Sequence, residues 1–561
     1  MKQDAQWVNK SRSRVNCSGF YRLQTDPGPC IIKKNGKTWG EIMQTIVDTF
    51  ERNKSKLYFA LASTFFWGLL AHAYCFFDNS FSHDSLNELH GAIFGNNIKL
   101  VSGRIFVPLY RDLLRSDVTL PWLIGFLSLL WIGLAVFLVL RIFRVESKLT
   151  GFLVAGIFSV NISVSATAAT YIHDLDCDMF ALMCAVGAVW LWKERKWGVL
   201  PGAVLLTVSM GMYQSFLFVG IGLIMLVCIL DLLDGARFAQ VFSRGMRAVG
   251  MILLGGGGYY GALQVSQKLS GIALSSGDYN SLDLMGKLSG GTLLENLCGA
   301  YRDFFYRLMN VYTTYPSTLT KAATAALMTL VITAVVWGLM SRRLGWREKL
   351  LLLALALLLP LGLNMIYVLT LGASHDLMVY GIWVFYLVAL LLSDWLAKQG
   401  RGQLLKWQQP FCMLMVALIL YGSVQFANGM YLKKDQEYDA YLSMMTRVVD
   451  RMETCEGYTA GQTPVVFAGM PQVMNQVAPG FMDYWNVTGM LSSDVIFMPE
   501  KTRYQAYFDY VLGLPLLLAE DEIWMQLRKS QQVQDLPQYP AAGCVQLLDG
   551  VLIVKLGPVV D

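Results

Sequence analysis

Eleven apolar segments limit what this chain can fold into, because each is close to the length of about 20 residues that crosses a bilayer as a helix. They lie at about 57–77, 118–140, 150–169, 178–192, 197–212, 214–231, 246–265, 321–340, 349–370, 378–396 and 410–430. Only 15% of the 561 residues are charged, whereas soluble proteins have about 25%. We therefore predict a polytopic α-helical membrane protein with about 11 transmembrane helices.

The distribution of Lys and Arg selects one orientation for these segments. Residues 1–56 are basic, and so are the short loops that follow every second segment. The short loops on the opposite side, near 171–177, 213 and 371–376, contain neither Lys nor Arg. Because cytoplasmic loops have the excess of positive charge, we predict a cytoplasmic N-terminus and place these three loops outside.

This topology divides the chain into three regions. They are a cytoplasmic N-terminal region with an interfacial helix at 1–56, a transmembrane domain at 57–430 with long outer loops at 78–117 and 266–320, and a C-terminal region at 431–561. After Tyr431 the composition becomes that of a small soluble domain. Because the number of predicted spans is odd, we expect this α/β domain to be extracytoplasmic.

The C-terminal domain shows both helical and strand patterns. They predict helices at 435–453 and 520–529, strands at 464–469 and 495–498, and a hairpin at 545–555. Asp549-Gly550 is a favoured two-residue hairpin turn. Cys455 and Cys544 are the only cysteines in this polar part, and they could form a disulfide in an oxidising compartment.

Four consecutive glycines occupy positions 255–258, within the seventh apolar segment. Gly-rich sequences bind phosphate when Lys and Ser or Thr follow, and no such pair follows here. Small residues also allow two helices to approach closely. We therefore predict close helix packing or a kink at this position.

Asp84, in the sequence Ser82-His83-Asp84-Ser85, follows the first apolar segment. An ionisable group near a membrane is costly unless it is solvated or paired, which makes it a candidate functional residue. The alternative is a solvated loop carboxylate that caps a helix starting at Ser85.

A second acidic group, His173-Asp174-Leu175-Asp176-Cys177-Asp178, lies in the short loop before the fourth segment. Three carboxylates within five residues repel one another unless a cation, a basic side chain or a proton relieves them. Asp174 and Asp176 could contact substrate or bind a hard divalent cation such as Mg or Mn. Their alternative role is to cap a helix and interact with its dipole.

Arg104, Arg111 and Arg115 are candidates for phosphate binding, since a guanidinium can donate two parallel hydrogen bonds to a phosphate. Each could instead extend its charged end towards water from the membrane interface. For Arg104 the first interpretation includes binding of a phosphorylated donor.

His375, in Ser374-His375-Asp376, could also bind an anionic phosphate. Adjacent Ser, His and Asp residues do not form a hydrolase triad, because neighbouring side chains cannot converge as nucleophile, base and orienting group. Tyr213 and Gln214 could hydrogen-bond a sugar, although Tyr is also common at membrane interfaces. An ordinary loop is the alternative for His375.

Several segments together resemble one family of membrane enzymes. They are SHDSL at 82–86, GRIFVPL at 103–109, HDLDCD at 173–178, GMYQSFL at 211–217 and ANGMYLKKDQEYDAYLSMMTRVVDRM from Ala427. In this order, and with their common outer placement, they resemble the Gtr type II family of serotype-converting glucosyltransferases that modify O-antigen. This family is of the GT-C class, and the resemblance covers about residues 57–470.

The resemblance implies an inverting glycosyltransferase of the bacterial plasma membrane whose donor is undecaprenyl-phosphate-glucose. Its acceptor would be a surface polysaccharide or its lipid-linked precursor. Asp84 would be the general base, and Asp174 and Asp176 would orient the acceptor or a divalent cation. Arg104, His375 or a Lys of the 266–320 loop would neutralise the leaving phosphate.

Three other functions are open at this point. A transporter or flippase of lipid-linked sugars would place charged residues near the middle of its spans, and these spans have almost none. A polysaccharide polymerase or ligase would use a different lipid-linked donor. A non-catalytic scaffold would leave Asp84, Asp174 and Asp176 without a role.

Overall fold

A computed structural model describes residues 39–78, 81, 85–86, 88, 99–274, 290–310, 317–399, 403–469 and 501–559. The predicted base Asp84 and the predicted strand at 495–498 lie outside these residues. The chain divides into two compact units, Met1–Ser55 and Lys56–Asp561. Of the first unit the structure describes part of one helix, and the second unit contains the remaining elements.

Most of the described chain is helical. The helices are α1 (Trp39–Phe77), α2 (Val107–Leu114), α3 (Pro121–Ile142), α4 (Lys148–Ser159), α5 (Ile162–Thr170), α6 (Leu175–Glu194), α7 (Val199–Met212), α8 (Leu217–Leu233), α9 (Phe238–Ser270), α10 (Gly290–Met309), α11 (Ser317–Met340), α12 (Trp346–Leu363), α13 (Met365–Leu369), α14 (Tyr380–Gln399), α15 (Gln403–Glu453), α16 (Lys501–Tyr507), α17 (Asp521–Lys529) and α18 (Gln531–Asp535).

Eight helical stretches of the described residues are long and apolar enough to cross a membrane. They are Asn53–Phe77, Pro121–Ile142, Lys148–Thr170, Ile172–Glu194, Gln214–Leu233, Thr318–Met340, Tyr380–Gln399 and Trp407–Glu453. Val199–Met212 is a shorter apolar helix. The remaining predicted segments, 246–265 and 349–370, are also helical. The fold is therefore that of a helical membrane protein, and the count of about 11 spans stays a prediction.

Two asparagines interrupt helices within the bundle. Asn161 separates α4 from α5 and caps α5, since its side-chain oxygen accepts a hydrogen bond from the Val164 N–H at 3.2 Å. Asn364 separates α12 from α13, four residues after Pro360. The local backbone hydrogen bond accepted by Asn161 explains the break between α4 and α5, whereas the Asn364 amide donates to the Ala300 carbonyl and to Asp303 of α10, both at 3.0 Å.

The four-glycine sequence packs α9 closely against α7, as predicted. The Thr207 hydroxyl of α7 donates a hydrogen bond to the Gly255 carbonyl of α9 at 3.0 Å. A Cβ atom at Gly255 would lie 2.8 Å from Cβ of Leu206, whereas one at Gly256 would have no atom within 4 Å. Only part of the glycine run therefore requires the absence of a side chain.

The last membrane helix continues without a break into the C-terminal domain. α15 extends over Gln403–Glu453, so the helix predicted at 435–453 is part of this longer helix. Tyr431 packs in the core of the bundle and Tyr441 in the core of the C-terminal domain, and the domain boundary at 431 stays a prediction. No proline or glycine lies between Tyr431 and Glu453 to end the helix. The apolar membrane segment and the helix of the C-terminal domain are one rigid element.

A small sheet packs against the end of α15. Its strands are β1 (Pro464–Ala468), β2 (Leu517–Leu518), β3 (Val545–Leu548) and β4 (Val551–Lys555), in the order β2-β1-β4-β3. β1 is parallel to β2 and β4, with Val466 opposite Ile553. β3 and β4 are antiparallel and form the predicted hairpin, with positive φ angles of 48° at Asp549 and 80° at Gly550.

The predicted disulfide between Cys455 and Cys544 is not formed in the structure. Both cysteines are free thiols, and that of Cys544 is buried. The Arg451 guanidinium donates a hydrogen bond to the Cys544 sulfur at 3.1 Å. The sulfur of Cys544 therefore faces a cation on α15.

Replacement of single glycines in α9 tests the packing against α7. We expect Gly255→Ala to destabilise the protein by about 1–3 kcal/mol, because the added methyl group overlaps Leu206 in a packed interface. Gly256→Ala is the matched control and should be neutral or slightly stabilising, since alanine favours the helix. Thermal unfolding in lipid nanodiscs measures both. Equal unfolding temperatures for the two variants would contradict the close packing.

Candidate functional site

The loop at residues 99–106 holds the predicted site residue Arg104 at one end of the helix bundle. The Arg104 N–H donates to the Lys99 carbonyl at 2.8 Å, and the Phe106 N–H donates to the Gly211 carbonyl at the end of α7 at 3.0 Å. Gly103 has a φ of 74°, a conformation that side chains disfavour. The loop thus lies across the ends of α7 and α9 and presents Arg104 to the start of α6.

Gln214 and Tyr259 fasten this loop to the bundle. The Gln214 amide donates to the Tyr259 hydroxyl at 2.9 Å and to the Ser102 carbonyl at 3.3 Å. The Tyr259 hydroxyl in turn donates to the Gly103 carbonyl at 3.0 Å. Gln214 therefore supports the loop in the structure, and its predicted contact with a sugar stays a prediction.

Asp174, which is 1% exposed, lies at the centre of the site. Its carboxylate accepts hydrogen bonds from Lys99 Nζ at 2.7 Å, Arg104 Nη1 at 2.9 Å and Arg111 Nη2 at 2.7 Å. Three cations around one buried carboxylate satisfy both of its oxygens.

Asp176 has a partner of its own. Arg115 donates to it through Nε at 2.8 Å and Nη2 at 3.2 Å, in the forked geometry that suits a guanidinium and a carboxylate. Arg111 and Arg115 are four residues apart, so they project from one side of α2 and its end towards α6. Both arginines pair with carboxylates of the protein.

Glu88 completes the group, which we call the ionic cluster: Glu88, Lys99, Arg104, Arg111, Arg115, Asp174 and Asp176. Its oxygens lie 2.7 Å from Lys99 Nζ, 3.0 Å from Arg111 Nη2 and 3.2 Å from His173 Nε2. Burial alone would raise the pKa of Glu88, but His173 and Lys99 outweigh it and hold that pKa well below its usual value. Glu88 is therefore ionised and paired.

The ionic cluster explains how the repulsion between the carboxylates at 173–178 is reduced. Basic side chains neutralise Asp174 and Asp176, whereas Oδ1 of Asp178 is buried without a hydrogen-bond partner among the described residues. Glu88, His173 and Asp174 place ligand atoms within 4.8 Å of one another, as a metal site would. However, Lys99 Nζ lies 2.7 Å from a carboxylate oxygen of both Glu88 and Asp174. An ammonium at that position disfavours a divalent cation, so these residues fit a bound metal poorly.

Arg104 differs from the other cations of the ionic cluster because part of it is accessible. Its side chain is 18% exposed, against 7% for Lys99, 3% for Arg111 and 0% for Arg115. Its guanidinium carbon lies 4.2 Å from the centre of the Tyr213 ring, a cation–π contact. Tyr213 and Asp174 therefore fix the orientation of an arginine that still reaches solvent.

Two described residues that follow Asp84 in the sequence contact this end of the bundle. The Ser85 hydroxyl donates to the Thr170 carbonyl at the end of α5 at 3.1 Å. Thr170 is four residues from Asp174, and Glu88 belongs to the cluster itself. Phe81 and Leu86 instead pack with the hydrophobic core of the C-terminal domain.

His375 is adjacent in sequence to a second group of paired charges. Asp376 pairs with Arg307 of α10, and Arg307 Nε also lies 2.9 Å from Asp303. Burial raises the pKa of Asp376 to about 6, although Arg307 opposes the change. The binding of a phosphate by His375 stays a prediction.

Sequence reasoning missed Lys99 and Glu88. Neither lies in a recognisable motif. Lys99 pairs with Asp174, 75 positions away in the sequence, and Glu88 pairs with Arg111, 23 positions away. A weak signal existed in the spacing of Arg104, Arg111 and Arg115, which repeats at 7 and 4 residues and so favours one helical face. Each of these three arginines pairs with Asp174 or Asp176.

One comparison with known proteins matches the chain. The family model described as glucosyl transferase GtrII matches residues 73–392, which is more than half of the chain. The match includes the ionic cluster, Tyr213, Gln214 and His375. No curated protein and no solved structure shows a significant match.

Glu88 gives the site a predictable response to acid. Its carboxylate stabilises the fold fully above the ordinary pKa of 4.5, and this contribution is lost as the pH falls through the lower pKa of the folded protein. We expect Glu88→Gln to lower stability at neutral pH by about 3–5 kcal/mol, because Lys99 and Arg111 lose a buried partner. We also expect the variant to lose less stability than the unmodified protein below pH 4.5.

Thermal unfolding between neutral and acidic pH measures this difference. Asp112→Asn is the control, since Asp112 is an exposed carboxylate of α2. The interpretation fails if Glu88→Gln unfolds at the same temperature as Asp112→Asn at neutral pH.

Proposed function

Since this chain belongs to the GtrII glucosyl transferase family, we propose that it is an inverting glycosyltransferase with a lipid-linked donor. The donor is undecaprenyl-phosphate-glucose, and the acceptor is a surface polysaccharide of the O-antigen type or its lipid-linked precursor. Transfer takes place at the outer face of the bacterial plasma membrane. The absence of Lys and Arg from the short loops near 171–177, 213 and 371–376 supports this orientation.

The proposal rests on the partial exposure of Arg104 and on its unused hydrogen-bond donors among the described residues. A guanidinium has five N–H donors, and among the described residues Arg104 uses Nη1 towards Asp174. Its remaining donors lie on a side chain that is partly exposed and already oriented. Binding of a phosphate there requires little loss of side-chain entropy, because Asp174 and Tyr213 have fixed the arginine beforehand.

In the proposed reaction Asp84 is the general base. It removes the proton from an acceptor hydroxyl, whose oxygen attacks the anomeric carbon of glucose from the side opposite the phosphate. The bond from that carbon to the phosphate oxygen breaks, polyprenyl phosphate leaves, and the configuration inverts. Arg104 stabilises the negative charge that develops on the leaving phosphate.

The roles of Asp174 and Asp176 follow from their partners. Asp174 orients Arg104, and Asp176 fixes Arg115 at the end of α2. Because their oxygens already accept hydrogen bonds from basic side chains, we assign them a positioning role, and the proposed steps use no metal. This differs from the sequence-based expectation that they contact the acceptor or a divalent cation.

Substitution of Arg104 tests donor binding. We expect Arg104→Gln to lower the rate of transfer about 10²–10³-fold, since a charged donor to the leaving phosphate is lost. Arg104→Lys should retain more activity but raise KM for the donor, because lysine lacks the planar fork. The readout is initial rates with radiolabelled undecaprenyl-phosphate-glucose in nanodiscs. Lys529→Gln removes an exposed positive charge at the end of α17 in the C-terminal domain and serves as the control. Wild-type rates for Arg104→Gln would contradict the assignment.

Substitution of Asp84 tests the general base. We expect Asp84→Asn to lower kcat about 10²–10⁴-fold, the usual contribution of general base catalysis. KM for the donor should change little, because the donor phosphate binds elsewhere. Asp112→Asn, in the same predicted outer loop, should transfer glucose normally. If a correctly inserted Asp84→Asn protein transfers glucose at the full rate, Asp84 is not the base.

A further inference from the structure

A cavity of about 520 Å³ lies beside α10, away from the ionic cluster. Its lining includes Glu295, Asn296, Cys298 and Arg302 of α10, and Tyr367 of α13. None of these residues contacts the ionic cluster among the described residues. The volume is within the range of about 300–1,000 Å³ that small-ligand sites occupy.

The sequence of α10 explains why one side of this helix is polar. Ala300, Phe304 and Leu308 recur at helical spacing and are buried, so they attach the helix to the bundle. Glu295 and Arg302 recur on another side, seven residues apart, and both are exposed. An amphipathic helix with its apolar side buried therefore presents a polar side to the cavity.

Tyr367 forms a wall of the cavity because α10 has a glycine where the ring approaches. A Cβ atom at Gly299 would lie 2.7 Å from Cε1 of Tyr367 and 3.0 Å from its hydroxyl. A side chain at position 299 would therefore displace the ring. The glycine lets an aromatic ring and its hydroxyl lie directly against the helix.

Three polar side chains of the cavity have hydrogen-bonding capacity that no described residue uses. Glu295, Arg302 and the Tyr367 hydroxyl make no hydrogen bond or ion pair with any described residue. A carboxylate accepts hydrogen bonds, a guanidinium donates them, and a tyrosine hydroxyl does both. The cavity thus offers donors, acceptors and an aromatic ring to one ligand.

The charges of the cavity favour a neutral ligand. Glu295 and Arg302 balance one another, so an anionic phosphate or lipid headgroup gains little net attraction, unlike at Arg104. A sugar carries adjacent hydroxyls, which donate and accept hydrogen bonds, and apolar C–H groups, which pack on an aromatic ring. These are the groups that the lining can satisfy.

We propose that the α10 cavity binds the acceptor glycan, as a saccharide subsite separate from the donor phosphate at Arg104. This inference rests on the proposed function and deepens it, because it assigns the two substrates to two sites. The glycan is held by Glu295, Arg302 and Tyr367.

Cys298 provides a direct test, because it lines the cavity and is the one exposed cysteine among the described residues. The full-length protein in lipid nanodiscs is treated with a sulfonated maleimide, and alkylation of Cys298 is followed by peptide mass spectrometry. The probe is the oligosaccharide released by mild acid from the surface polysaccharide of source cells that lack this chain. Nanodiscs avoid detergents with sugar headgroups.

At an oligosaccharide concentration about ten times its Kd, we expect alkylation to slow about tenfold, in proportion to the free sites. Polyethylene glycol of equal mass should not protect Cys298. An unchanged alkylation rate with the oligosaccharide, or equal protection by polyethylene glycol, would overturn the proposal.

The double variant Glu295→Gln with Arg302→Gln tests the chemistry of the subsite. It leaves the net charge unchanged, and both residues are exposed, so folding should be preserved. We expect KM for the acceptor oligosaccharide to rise about tenfold, with kcat and KM for the donor unchanged, since hydrogen bonds to charged groups are lost. An unchanged acceptor KM would overturn the proposal.

The alkylation and transfer results separate this proposal from the proposed function. Protection of Cys298 without glucose transfer by the unmodified protein would leave the saccharide site standing and contradict the donor assignment. Glucose transfer by the unmodified protein without protection of Cys298 would support the proposed function and contradict the saccharide site.

Discussion

The buried carboxylate of Asp174 is the interaction on which the described site depends. It holds Lys99, Arg104 and Arg111, which come from a loop and a helix more than sixty residues earlier in the sequence. A charge with 1% exposure is tolerated only when it is paired. The same pairing fixes the loop at 99–106 across the ends of α7 and α9. Asp174 therefore links the stability of this end of the bundle to the orientation of Arg104.

The proposals assign two tasks to two separate sites of the protein. In the proposed reaction the ionic cluster provides excess positive charge for a phosphate, with Arg104 accessible and the other cations buried. The α10 cavity has balanced charge and an aromatic wall, which suit a neutral glycan. α15 connects the same bundle to the C-terminal domain as a continuous helix. The charged groups of the ionic cluster lie at helix ends and loops, which disfavours a transport path through the centre of the bundle.

The sequence predicted what depends on neighbouring residues. All the predicted apolar segments are helical, and the glycines at 255–258 pack closely against α7. Asp549-Gly550 forms the turn of the hairpin. Each of these features is determined by local periodicity or by backbone conformation. The change of composition at Tyr431 does not end the helix, because no proline or glycine interrupts it there, although the packing changes near this position from the core of the bundle to that of the C-terminal domain. The partners of Asp174 could not be predicted, because Lys99 and Glu88 meet it only through tertiary contacts. Asp84 lies outside the described residues and stays a prediction.

Mass analysis of the surface glycan tests the central claim most directly. Cells with and without this chain, and cells with the Arg104→Gln variant, are compared after release of the polysaccharide. The account predicts one added hexose per modified repeat unit only when the unmodified chain is present, and accumulation of undecaprenyl-phosphate-glucose when it is absent or altered at Arg104. A glycan of identical mass in all three cell lines would contradict the account.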